Sequence, residues 1–181
     1  RQMPGQVAKV QNDFTWAQNA GNNSYIATAV TTADPGQSYA AQTKTEQVVD
    51  TYGNVTQVKN YEYGNLTTPA RTYDHTYLTH PSYLQRYIRN RLLLTNVTTG
   101  GGTSQLAYIA YDTSAVTAIS SGTPTYWNAA YNPSVIARGN LTYVFTTSGE
   151  KNTTYNVLGE PTGTTVNGIT STATSSSTVN F

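Results

Sequence analysis

The chain has 181 residues and a formal net charge of +1, with 37% hydrophobic and only 10% charged residues. That near-neutral balance supplies no long-range field for nucleic acid or an anionic membrane, and no apolar run approaches the ~20 residues that span a bilayer. There are no cysteines, which excludes disulfides, thiolate metal sites and a cysteine nucleophile. The 15 tyrosines, with abundant Thr and Val, favour strands over both helix and disorder.

Residues 1–46 read as an N-terminal, strand-containing segment. Asn12 to Ala20 and a turn at Gly21-Asn22-Asn23-Ser24 precede a strand-like run, Tyr25 to Thr31, and Asp34-Pro35-Gly36 forms the next turn. Gln47-Val48-Val49 then leads into Asp50-Thr51-Tyr52-Gly53-Asn54-Val55-Thr56-Gln57-Val58, read as strand, tight Gly-Asn turn, strand. The signature returns at Tyr61-Glu62-Tyr63-Gly64-Asn65-Leu66-Thr67, with Pro69 ending the strand. Residues 71–91 are the one place for a helix: Pro81 fits N1 after His80, and Tyr83, Leu84, Tyr87 and Ile88 share a face. We expect at most one short helix near 82–90, of about two turns.

Leu92 to Thr98 resumes a strand pattern, Gly100-Gly101-Gly102 is a turn, and Leu106 to Tyr111 is the partner strand. Residues 113–130 are a Ser/Thr/Ala/Gly-rich connection. Arg138-Gly139-Asn140-Leu141-Thr142-Tyr143-Val144-Phe145 is a third Gly-Asn hairpin signal. Tyr155-Asn156-Val157-Leu158-Gly159-Glu160-Pro161-Thr162 is a fourth, with Glu in place of Asn. Residues 47–170 thus form a degenerate β-hairpin repeat region, and 171–181 a Ser/Thr-rich tail, read as a flexible end or a strand donated to a neighbour. The expected fold class is all-β, mainly antiparallel hairpins.

The repeat unit is Gly-Asn-[Val/Leu]-Thr with Tyr or Asp shortly before it, at Asp50–Thr56, Tyr61–Thr67, Tyr131–Thr142 and, weakly, Tyr155–Thr162. Its turn residues are Asp50, Gly53, Asn54, Gly64, Asn65, Gly139, Asn140, Tyr155 and Gly159. Gly supplies the left-handed position, Asn bonds its own backbone, and the β-branched residues restart a strand. On these stretches, with Tyr108-Ile109-Ala110-Tyr111-Asp112 and Tyr87-Ile88-Arg89-Asn90-Arg91-Leu92-Leu93, residues 45–170 resemble the RHS or YD-repeat family. The resemblance implies large bacterial secreted or cell-surface β proteins whose strand–turn–strand units wind into a continuous sheet, in many members around a toxin. This chain departs from that pattern at Asn132 and Asn156, where the family has Asp, and in being shorter than a shell.

A few hairpins leave strand edges open, and a chain this poor in charge has little with which to guard them. We therefore expect a structural, extracellular protein that self-associates edge-to-edge or head-to-tail into a homo-oligomer or filament. Starting at Arg1 rather than Met, it reads as a mature or excised segment. No nucleic acid, membrane insertion, cofactor or metal is expected. Asp74 with His75 is the foremost catalytic candidate, nothing marks a glycosidase pair among the nine scattered carboxylates, and Asp74, His75 and His80 match no zinc or EF-hand spacing; without a hydrolase nucleophile motif, no enzyme is expected. The alternative reading is a surface-glycan adhesin using Tyr126, Trp127, Arg86 and Arg89, or a fragment of a toxin-encapsulating shell. Asn22, Asn54, Asn65, Asn96, Asn140 and Asn152 begin Asn-x-Ser/Thr sequences, read as turns before glycan sites.

Overall fold

The structure is a computed structural model that describes residues 9–118 and 132–172. Eleven antiparallel strands follow one another in chain order as a meander: β1 Val10–Gln18, β2 Ser24–Ala33, β3 Ala41–Val49, β4 Val55–Tyr61, β5 Arg71–Tyr77, β6 Leu92–Thr99, β7 Gly102–Tyr111, β8 Leu141–Thr146, β9 Gly149–Tyr155, β10 Pro161–Val166 and β11 Ile169–Thr172. The all-β expectation holds. The one helix among the described residues, α1 Pro81–Leu84, starts as expected, with Pro81 in its first turn and His80 capping it. It stops a turn early, however. Tyr87 takes φ +60°, which no helix continues, so Tyr87 and Ile88 are not part of a second turn.

Several strands differ from the sequence reading. β1, most of β3, and β9 lie in stretches read as mixed or unassigned, and β5 lies just ahead of the expected helix near 82–90, where no strand was read. β5 alternates Arg71, Tyr73, His75 and Tyr77 on one face with Thr72, Asp74 and Thr76 on the other. That is a period of two, written in aromatic and polar residues instead of aliphatic ones. Leu66 and Thr67 restart no strand; they fall in the connection between β4 and β5. Ser171 and Thr172 of the tail belong to β11, which pairs with β10 of the same chain, and residues 173–181 lie outside the described residues.

The chain divides into two compact units, residues 1–77 with 95–105, and residues 78–94 with 106–181. In the first, the register fixes which side chains share a face. Phe14 lies opposite Ala29, Ala29 opposite Thr45, and Thr45 opposite Asn60. Strand alternation then puts Val10, Phe14, Trp16, Ile26, Val58 and Tyr73 on one face. Asp13, Lys44, Glu46, Lys59 and Asp74 are on the other. On that charged face Lys44 bridges Glu46 at 2.7 Å, and its ammonium sits 4.0 Å from the centre of the Tyr61 ring. The Tyr61 hydroxyl donates to Glu46 at 2.7 Å, and Lys44, with that hydroxyl second, lowers the Glu46 carboxyl below its ordinary pKa. The second unit buries Ala137 and Val157. Among the described residues these two and Tyr61 are the only buried hydrophobic side chains, so the sheet faces are largely uncovered.

Candidate functional site

The recurring feature is a corner closing each odd-to-even strand connection. At Asp50 the backbone N–H donates to the Asn54 carbonyl, and the Gly53 N–H donates back to the Asp50 carbonyl. The Asp50 Oδ1 accepts from the N–H groups of Tyr52 and Asn54 at 2.8 and 2.9 Å, while Oδ2 accepts from Asn54 Nδ2 at 2.9 Å. Gly53 sits at φ +90°, the left-handed position the turn requires. Asn156 repeats this arrangement: its Oδ1 accepts from Leu158 and Glu160, its Nδ2 donates to the Glu160 carboxylate, and Gly159 has φ +84°. Asn19 repeats it again, accepting from Gly21 and Asn23, with Asn22 at φ +59°. Asn therefore serves the role of Asp wherever one side-chain oxygen suffices.

The remaining corners are split. Asp112 N donates to the Asn140 carbonyl, and its carboxylate accepts the N–H groups of Arg138, Gly139 and Asn140 at 2.9, 2.7 and 3.0 Å. Residues 113–137 are thus an insertion within a single corner. The acid of the Arg138–Thr142 repeat is Asp112, and Asn132, read from the sequence as its counterpart, instead caps Ser134. Tyr131, where that repeat was taken to begin, lies outside the described residues. Leu78 N donates to the Arg91 carbonyl in the same way, with α1 inside the insertion and no carboxylate at the corner. Gly64 and Asn65, by contrast, belong to an even-to-odd connection. Gly64 has φ +80° and donates to Gln42, and Asn65 Oδ1 caps Thr67 and Thr68.

A tyrosine sits just before three of these corners. Tyr77, Tyr111 and Tyr155 donate their hydroxyls to the carbonyls of Val55, Leu92 and Leu141, each the first residue of the preceding even strand. One ring thus bolts each new hairpin to the one before it. Tyr155→Phe keeps the ring and deletes the bond, so urea denaturation is expected to show a loss of about 1 kcal/mol. An unchanged midpoint would remove this bond from the account. Burial raises the pKa of all three hydroxyls, and it raises that of Tyr83, which also donates to Asp112 at 2.9 Å. The folded chain keeps these protons where the unfolded chain loses them. The resulting stability is complete below about pH 10 and falls as pH rises beyond it. Denaturation midpoints at about pH 8 and about pH 10.5 should differ accordingly, and Tyr83→Phe should shrink the difference.

The residues read as ligand contacts do not form one site. Tyr126 and Trp127 lie outside the described residues. Arg86 donates to the Ser82 carbonyl and lines an open groove of about 570 Å³ with Tyr87, Ile88 and Leu158. Arg89 stacks over the exposed Tyr87 ring at 4.7 Å, and Tyr83 meets His80 edge-on. Asp74 and His75 point to opposite faces of β5 and bind Gln57 and Thr95, and His80 is spent on the helix cap. Among the described residues no three His, Asp or Glu side chains gather to hold a metal ion, and no helix is long and apolar enough to cross a membrane.

The other surface of note is the β1 edge, where Val10, Phe14 and Trp16 are 58%, 55% and 64% exposed on one face. Compared with protein-family models and with curated proteins, the chain matches none of either.

Proposed function

We propose that this chain is a structural β-repeat building block of the RHS or YD type, working outside the cell by self-association. The observation that carries the reading is the near-absence of a core: Tyr61, Ala137 and Val157 are the buried hydrophobics among the described residues. Among the described residues no strand pairs with the outer edge of β1 or of β11 and few apolar side chains are buried, and such a sheet gains most of its available apolar burial from neighbours. The corners support the repeat reading. Asn19, Asp50, Leu78, Asp112 and Asn156 each close a hairpin with the same backbone bond, so each pair of strands is one repeat of a single design. Size-exclusion chromatography with light scattering, followed by negative-stain microscopy, tests the proposal. Assemblies larger than one chain support it, and a monodisperse monomer at high micromolar concentration rejects it.

One observation favours a second reading, a surface-glycan adhesin. Tyr87 is 79% exposed beside Arg86 in the open groove, a ring face and a cation presented together. A glycan array lost on Tyr87→Ala would favour this reading, and an array blank for the unaltered chain would end it.

A further inference from the structure

We infer that the first contact between copies is an isologous, antiparallel pairing of β1 with β1 of a second copy; the inference rests on the self-association proposed above. Two bonds fix the direction of every backbone group in β1. At one end Asp34 N donates to the Lys9 carbonyl, and at the other Asn19 N donates to the Asn23 carbonyl. Odd-numbered residues therefore turn their backbone toward β2. Val10, Asn12, Phe14, Trp16 and Gln18 turn theirs outward, and strand alternation puts the side chains of the same five on one face. The unpaired hydrogen-bonding groups and the exposed apolar side chains thus belong to the same residues.

The strand is self-complementary about Phe14. With a two-fold axis at that residue, Phe14 faces Phe14 of the second copy, Asn12 faces Trp16, and Val10 faces Gln18. All the outward residues then form hydrogen-bonded pairs, giving about ten new backbone bonds. The aromatic rings of both copies collect on one face, where cross-strand aromatic pairs add stability. Asp13, the one charged residue of β1, faces Thr15, so no like charges meet. The opposite edge offers a poorer partner. Among the described residues β11 offers four residues, against nine in β1, so a contact of β1 with these four would leave more than half of the β1 edge unpaired.

The chain lacks cysteine, so Phe14→Cys carries a single thiol placed next to its symmetry mate. Under mild oxidation it should form a covalent dimer at least tenfold faster than Ile169→Cys, which puts a still more exposed thiol on β11. A second variant, Phe14→Lys, sets two like charges at the axis. It should raise the dimer dissociation constant at least tenfold while leaving the circular-dichroism spectrum of this exposed position intact. If Phe14→Cys links only to Ile169→Cys in an equimolar mixture, association is head-to-tail; the inference is overturned and self-association stands. If neither thiol links and the unaltered chain has monomer mass, both fall.

Discussion

Asp112→Ala is expected to be the most damaging single substitution. It strips the acceptor from three backbone N–H groups, those of Arg138, Gly139 and Asn140, and from the Tyr83 hydroxyl. No local turn takes over, because the ends of the insertion at 113–137 are held together by this carboxylate, the Asp112–Asn140 backbone bond and the bonds of Thr113 to the Thr142 hydroxyl. The expected loss in urea denaturation is about 3–5 kcal/mol, from several partly buried donors losing their acceptor together. Asp112→Asn should cost about 1–2 kcal/mol, since one carboxylate oxygen takes Tyr83, Arg138 and Gly139 and the other takes Asn140. The same change at Asp50 should cost under about 1 kcal/mol, because there one oxygen accepts both N–H groups and the other accepts only Asn54 Nδ2. Equal losses for Asp112→Asn and Asp50→Asn would show that the split corner carries no extra weight.

Gly21→Ala comes next. A β-carbon at Gly21 would lie 2.4 Å from the Thr51 carbonyl oxygen, a backbone atom of the neighbouring corner. The two corners are drawn together by a hydrogen bond from Asn19 Nδ2 to the Asp50 carbonyl. Relief requires one corner to move, so a loss of about 2–4 kcal/mol is expected. Gly53→Ala isolates the other kind of cost. Nothing lies within 4 Å of its missing β-carbon, and only the φ of +90° opposes the change, for about 1–2 kcal/mol. Thermal melts of the two variants should therefore separate clearly. If Gly53→Ala proves the worse, the corners are not packed against each other as described.

These two positions also show what could be read from the sequence. Gly53-Asn54 and Gly159 announce their turns because donor, acceptor and left-handed residue lie within five consecutive positions. The Asn19 corner follows the same rule and is legible as a turn at Gly21–Ser24, but Asn22 takes the left-handed position that glycine marks at Gly53, Gly139 and Gly159, which hides its kinship with the repeat. Asp112 and Gly139 each looked like a fragment of a repeat, and only the fold joins them across the intervening chain. β1 was hidden for a different reason. Gln11, Asn12 and Asp13 obscure an alternation whose apolar members, Val10, Phe14 and Trp16, are exposed and so carry little of a core pattern. The all-β class was legible because Tyr, Thr and Val dominate throughout. The tyrosine bolts were not, because each hydroxyl reaches back across one whole strand to find its carbonyl.

Self-association, as proposed, would complete a sheet this poorly covered with other copies of itself. Sedimentation equilibrium of the full 181-residue chain, from low to high micromolar concentration, tests it most directly. Under that proposal the weight-average mass should lie above 19.6 kDa, rise with concentration and fall back toward 19.6 kDa in Phe14→Lys. A constant 19.6 kDa at every concentration, with a folded β-type circular-dichroism spectrum, would contradict it.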